Sequence, residues 1–271
     1  MFFSPICYTF AGMNKLSIWI LCLLAVCLSP SDMVADGWLD EAYSFLGKPY
    51  VAGTLEREGG ESLVVDTLGF DCTTFVELSV ARWLSRCNDT PCEDELRKMR
   101  YRGGVVDGYL SRLHYFTDWV TENERRGVWR ELNPDDGGYW RRDTFSLSFM
   151  SEHCESYRYL QINPWAIDSM RRIEQRYTDY VVHYIAKEFL NLSPKQLPIH
   201  HGDILALVTT IEGLDVTHLG FAFWQDEQLY LMHASMNEKR VVIDKQTLYE
   251  YLKNRISCPG IRVVRLRQSH L

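Results

Sequence analysis

Residues 217–233, Thr-His-Leu-Gly-Phe-Ala-Phe-Trp-Gln-Asp-Glu-Gln-Leu-Tyr-Leu-Met-His, read as two strand-forming arms, 217–224 and 228–233, around a polar break. Apolar and aromatic side chains fill both arms, and Gln225-Asp226-Glu227 supplies the turn. One histidine opens the first arm and another closes the second. In a hairpin centred on Gln225-Asp226, paired residue numbers sum to 451, as do those of His218 and His233. That register puts the two imidazoles directly opposite on one face, with Cβ atoms about 4.5–5.5 Å apart. A one-residue bulge would undo it, and the loop has room for one.

Outward from this hairpin, 203–209, 240–244 and 261–266 are further strand-like runs, so the C-terminal third predicts an antiparallel meander. Upstream, the apolar spacing of 37–46 predicts a short amphipathic helix, and 71–86 a longer one with Asp71 as N-cap. Between 88 and 198 the chain is aromatic-rich and broken at Gly103-Gly104, Asn133-Pro134 and Gly137-Gly138, with 165–190 reading as one long helix. Helix first, long middle segment, then meander is an α+β order.

The chain has 271 residues, 46% hydrophobic and 24% charged, with a net charge of −7. This is enough to bury a real core and excludes disorder, and the acidic balance argues against a nucleic-acid partner. Residues 16–28 are an uncharged apolar run behind Lys15, too short for a transmembrane span, so 1–35 predicts a signal peptide ending at Val34-Ala35. A lipid anchor on Cys27 is the rival reading. Export to the periplasm or cell envelope follows, with 36–271 as the mature chain. Of its five cysteines, Cys87 and Cys92 flank the turn-like Asn88-Asp89-Thr90-Pro91 and are candidates to pair.

Cys72 falls in the first turn of the helix that Asp71 caps. Unpaired amides and the positive end of the helix dipole favour an anion there, which predicts a lowered thiol pKa and a site for an oxyanion. The plainer alternative is a small buried hydrophobe. A nucleophilic cysteine needs a base, and His218 oriented by His233 would complete a triad. Two other readings stand beside it: histidines bonded to each other at a strand end, or a zinc site drawn from His200, His201, His218 and His233, although no HExxH or paired CxxC is present.

Five stretches appear in a telling order: Gly47-Lys48-Pro49-Tyr50, Asp71-Cys72-Thr73-Thr74-Phe75-Val76, His201-Gly202-Asp203-Ile204, Thr217-His218-Leu219-Gly220-Phe221 and Leu231-Met232-His233-Ala234-Ser235. Together they resemble the NlpC-type, papain-like cysteine peptidases that cut bacterial cell-wall peptides. Thr73-Thr74 in place of the usual Ser-Gly, the long middle segment and the stretch 109–119 resemble, within that superfamily, an amidase subfamily of Bacteroidetes-like bacteria. The resemblance implies a papain-like fold, with the nucleophile helix packed on the meander and a large, mainly helical insertion at about 88–198 in a single catalytic domain. It implies Cys72 as nucleophile, His218 as general base and His233 as its orienting partner. Tyr50 and Asp71 would serve the oxyanion or substrate positioning. The implied reaction is hydrolysis of the N-acetylmuramoyl–L-alanine amide of peptidoglycan fragments by a monomer without metal or cofactor. An endopeptidase of the same superfamily, cutting between D-Glu and the diamino acid, and an inactive glycopeptide-binding module are the alternatives.

A connection of this length between nucleophile and base must fold and line the cleft. Its arginines and aromatics suit a ligand with apolar sugar faces and carboxylates, and Arg102 and Arg112 are the candidate substrate-binding residues. Most of the aromatics are expected to be core, since Leu110, Leu113, Phe116 and Val120 already make a helical stripe.

Overall fold

The computed structural model of the protein describes residues 37–57 and 60–267; the expected leader 1–35 and its Cys27 fall outside the described residues. In chain order the elements are α1 (Gly37–Ser44), α2 (Cys72–Asn88), α3 (Cys92–Arg100), α4 (Phe116–Arg125), β1 (Trp129–Glu131), β2 (Trp140–Phe145), α5 (Phe149–Glu152), α6 (Arg158–Ile162) and α7 (Trp165–Glu174). They continue with β3 (Tyr180–Ala186), β4 (Ile204–Val208), β5 (Val216–Gln225), β6 (Gln228–Ser235), β7 (Arg240–Ile243), α8 (Leu248–Leu252) and β8 (Gly260–Leu266). Among the described residues, no helix is long and apolar enough to cross a membrane.

All strand pairs of the sheet are antiparallel, in the order β2-β3-β8-β4-β5-β6-β7, with β1 paired to β8. β4 reads Ile-Leu-Ala-Leu-Val and is buried throughout, because strand side chains alternate between two covered faces. Ile204 and Ala206 join a core with Phe75, Val76 and Trp83 of α2. Leu205 and Leu207 face the other way, onto Leu248 and Leu252 of α8 and onto Leu190 and Leu197. The sheet is thereby held between the α2 side and a smaller layer on its far face.

α2 starts where the sequence places it. The Asp71 carboxylate accepts the Thr74 amide at 2.8 Å, and the Thr74 hydroxyl accepts the Asp71 amide at 3.0 Å, closing a capping box. α1 anchors the helix from outside: Trp38 packs edge-on against Trp83 at 4.9 Å, and Glu41 pairs with Arg82 and Arg86, both at 2.8 Å.

The middle segment departs from the sequence expectation. Most of its regular structure is helical, as expected, but it is not a separate insertion, because β1, β2 and β3 within it all join the main sheet. The expected helix over 165–190 ends at Glu174, Asp179 takes a left-handed φ of 50°, and 180–186 is strand. Its Tyr-Val-Val-His-Tyr-Ile-Ala sequence is β-branched and aromatic, which favours a pleated, half-buried surface over a helix. The helices and turns of this segment gather a core of their own around Tyr109, Tyr115, Met150, Leu160, Met170 and Tyr177. Cys87 and Cys92 are free thiols and not a pair, one in the last turn of α2 and the other at the start of α3.

Candidate active site

The predicted hairpin forms with a register of its own. Phe221 pairs with Met232 and Gln225 with Gln228, so paired numbers sum to 453, not 451. The turn is the two-residue Asp226-Glu227, with φ of 49° and 59°, the left-handed pair whose twist suits a tight hairpin. The slip is two residues, so the side chains keep their face. His218 is therefore diagonal to His233 instead of opposite it. Gly220 occupies the position across from His233, where a Cβ would lie 2.7 Å from the Met232 carbonyl oxygen and 3.0 Å from the His233 Cβ. With that space left empty, the rings meet: His218 Nε2 lies 2.6 Å from His233 Nδ1, the planes nearly perpendicular at 86°.

Cys72 is the first residue of α2 and lines a cavity of about 130 Å³ with Thr73, His114, Trp119, Asp215 and His218. Phe75 of α2 stacks edge-on against Phe221 of β5 at 5.6 Å, which holds the helix start against the strand bearing His218. Burial and then the neighbouring Asp71 carboxylate push the thiol up to about 11, while the amides of Leu219 and Cys72 and the Thr73 hydroxyl pull the other way. This corrects the expectation of a lowered pKa, since desolvation of the thiol by surrounding protein and the anion beside it outweigh the helix start. Burial, then His233 and Arg255, push His218 down to about 3. Both shifts favour the uncharged forms, a thiol and an imidazole.

His233 is fully buried behind His218. Its Nε2 makes no hydrogen bond and stands 3.5 Å from the Oδ2 of Asp244, which follows β7. Asp244 is a residue that sequence reasoning passed over. It lies eleven positions beyond His233 in sequence, and only the β6–β7 pairing of His233 with Val242 brings it back to the ring.

The other predicted residues divide. Tyr50 lies near the thiol, and burial, then the charges of Cys72 and Asp71, raise its hydroxyl above the ordinary range. The Asp71 carboxylate is occupied by the cap and by the Thr54 hydroxyl at 3.0 Å. Arg102 is bidentate to Asp118 at 2.9 and 2.5 Å, and the buried Asp118 also accepts the Tyr177 hydroxyl at 2.8 Å. Arg112 is bound to Glu56 at 2.9 Å and Glu61 at 2.8 Å. It faces a different cavity, of about 390 Å³, which it lines with Tyr109 and Tyr159. Neither arginine lines the cavity at Cys72. Among the described residues, no cluster of three or more His, Cys, Asp or Glu could hold a metal ion. His201, one of the candidate zinc ligands, accepts the Trp224 amide at 3.0 Å.

A family described as AmiA-like, N-acetylmuramoyl-L-alanine amidase-like, matches residues 41–261. Among solved structures, an N-acetylmuramoyl-L-alanine amidase from Bacteroides uniformis is 37% identical with a TM-score of 0.79, the match covering 87% of this chain and 100% of that one. A Bacteroides fragilis protein provisionally called a xylanase is 39% identical with a TM-score of 0.78, covering 84% of this chain and 99% of the other. A Legionella pneumophila protein, 20% identical over 86% and 89% of the two chains, shares the fold with a TM-score of 0.66. No curated protein matches. The chain belongs to the N-acetylmuramoyl-L-alanine amidase-like family.

Proposed function

We propose that the protein is a cysteine amidase with an NlpC-type, papain-like catalytic unit that hydrolyses the N-acetylmuramoyl–L-alanine bond of peptidoglycan fragments. The observation that carries this reading is the convergence of Cys72 and His218 on one cavity, with His233 Nδ1 at 2.6 Å from the Nε2 of His218. In this scheme His218 Nδ1 takes the thiol proton as the sulfur attacks the amide carbonyl carbon. The amides at the open start of α2 receive the negative charge on the carbonyl oxygen. The C–N bond then breaks, and His218 returns the proton to the leaving alanine nitrogen. This frees the peptide and leaves the lactyl group of the sugar as a thioester on Cys72. Water attacks the thioester with His218 again as base, releasing the lactyl carboxylic acid and restoring the thiol. Because both shifts favour the uncharged forms, the nucleophile forms by proton transfer during attack instead of standing ready as a thiolate.

A glycosidase reading, raised by the provisional name of the Bacteroides fragilis relative, lacks its chemistry here. Such enzymes flank the scissile bond with two carboxyl groups, whereas the cavity at Cys72 presents one, Asp215. That carboxylate already accepts the Thr117 amide and hydroxyl at 2.6 and 2.8 Å.

Digestion of a disaccharide-tetrapeptide, read by mass spectrometry, tests the proposal. Free disaccharide plus intact tetrapeptide from the wild type, and neither from Cys72→Ala, is the expected result. A shortened peptide would establish the endopeptidase alternative. Tight binding without turnover, equal in wild type and Cys72→Ala, would establish the binding module. The proposal includes export on the 1–35 leader, which N-terminal sequencing of the mature protein checks.

A further inference from the structure

His233 is a buried imidazole with two contacts of opposite demand. At Nδ1 stands the Nε2 of His218, 2.6 Å away. At Nε2 stands the Asp244 carboxylate, 3.5 Å away and aligned short of a hydrogen bond. Two imidazole nitrogens at 2.6 Å need a proton between them, and either ring could supply it. The geometry of Asp244 removes that freedom. Its amide donates to the Leu231 carbonyl at 2.8 Å, and its Oδ1 accepts the Gln246 amide at 2.9 Å, so the carboxylate is fixed with Oδ2 toward His233.

Burial would raise the Asp244 carboxyl, but His233, the Gln246 amide and the Arg255 guanidinium together hold it below the usual range, so it is ionised at neutral pH. Tyr251 closes the pocket edge-on to His233 at 5.7 Å, with Arg255 stacked on its ring at 4.0 Å. An Nε2 lone pair facing that carboxylate would be a buried acceptor against an anion, a costly arrangement in a dry interior. An Nε2–H there is attracted to it.

We propose that Asp244 is a positioning residue that fixes the tautomers of both histidines, and so makes His218 Nδ1 the bare nitrogen that accepts the Cys72 proton. With the proton of His233 on Nε2, its Nδ1 accepts from His218 Nε2–H, and the one lone pair left on His218 is at Nδ1. When His218 takes the thiol proton, the new positive charge is polarised through His233 toward Asp244, and the 3.5 Å contact tightens, as catalytic hydrogen bonds do when charge develops. The proposal rests on His218 being the base; the tautomers themselves can be measured without turnover.

The test pairs kinetics with nitrogen NMR. In Asp244→Asn the side-chain oxygen stays with the Gln246 amide and the Nδ2 donates to His233 Nε2. This inverts the chain of donors and leaves a proton on His218 Nδ1. The expected loss in kcat is about 10²–10⁴-fold, the scale of a wrong-tautomer triad, with KM changed less than about threefold. Nitrogen-15 NMR of the unmutated protein should show both histidines protonated at Nε2, and the variant should show both protonated at Nδ1. A proton on His233 Nδ1 in the unmutated protein, or a kcat in Asp244→Asn within about threefold of wild type, overturns the proposal. If the wild type releases no product from muropeptides, the functional reading fails separately, and the NMR of the unmutated chain still decides the tautomers.

Discussion

His218 and His233 share a face of the β5–β6 hairpin without being paired across it; they touch at 2.6 Å because Gly220, across from His233, has no side chain. A diagonal contact places one imidazole behind the other, so the rear ring is fully buried while the front ring reaches the cavity. On the proposed mechanism His233→Ala should lower kcat by about 10²–10³-fold with KM nearly unchanged, since it removes the group proposed to orient His218 and not a substrate contact. Steady-state kinetics on a soluble muropeptide check this; a change confined to KM would contradict the arrangement.

Gly220→Ala should impair catalysis more than folding. The new Cβ meets the Met232 carbonyl at 2.7 Å and the His233 Cβ at 3.0 Å, so the hairpin must spread to admit it. Overpacking of this kind costs about 1–3 kcal/mol. The shift separates the two histidines. Denaturant titration and kcat, measured on the same preparation, should show a modest fall in stability and at least a tenfold loss of rate.

Reactivity of Cys72 toward iodoacetamide should be low at neutral pH and climb through alkaline pH. Burial raises this thiol to about 11, and only the thiolate alkylates. Peptide mass spectrometry after timed alkylation should show the Cys72 rate rising about tenfold per pH unit between pH 7 and 10. A rate already at its plateau by pH 7 would mean a preformed thiolate.

Stability should fall as the solution is acidified from pH 6.5. Burial, first among the causes, holds His218 and His114 down to about 3 in the folded chain. The unfolded chain takes up those protons near its ordinary histidine pKa, so their contribution is full above about 6.5 and is lost as pH drops toward 3. Buried Glu77 and Asp203, whose carboxyls burial raises, oppose this within their own range. A difference isolates the effect: His114→Asn should reduce the pH slope of unfolding free energy by about 1.4 kcal/mol per pH unit between pH 4.5 and 6. Equal slopes would show that His114 is not held neutral.

Arg102→Ala should destabilise the fold without weakening substrate binding in what remains folded. The substitution leaves the Asp118 carboxylate buried without its bidentate partner, a loss of about 3–5 kcal/mol. Thermal unfolding and KM on the residual folded protein separate this from a substrate-binding arginine, which would raise KM and leave the melting temperature alone.

Much of the site is written locally. Asp71 and Thr74 are three residues apart, so a capped helix beginning at Cys72 is legible from that short stretch alone. The five C-terminal runs appear as β4, β5, β6, β7 and β8 because alternating or continuous apolar patterns need only neighbours in sequence. The middle segment is less local: 165–174 does carry helical spacing, but strand 180–186 is held by pairing with β2 and β8, partners some 40 and 75 positions away.

By itself the sequence determined the α+β class, the placing of a thiol at a helix start, and the choice of two histidines on one face of one hairpin. These follow from local propensity and from the period-two alternation that a two-residue slip preserves. The tertiary structure alone decided the register that made the pair diagonal, the assignment of Arg102 to Asp118, the raised thiol and the approach of Asp244 to His233. Each depends on burial or on which distant backbone lies alongside, and desolvation and long-range pairing arise only when the chain has closed on itself.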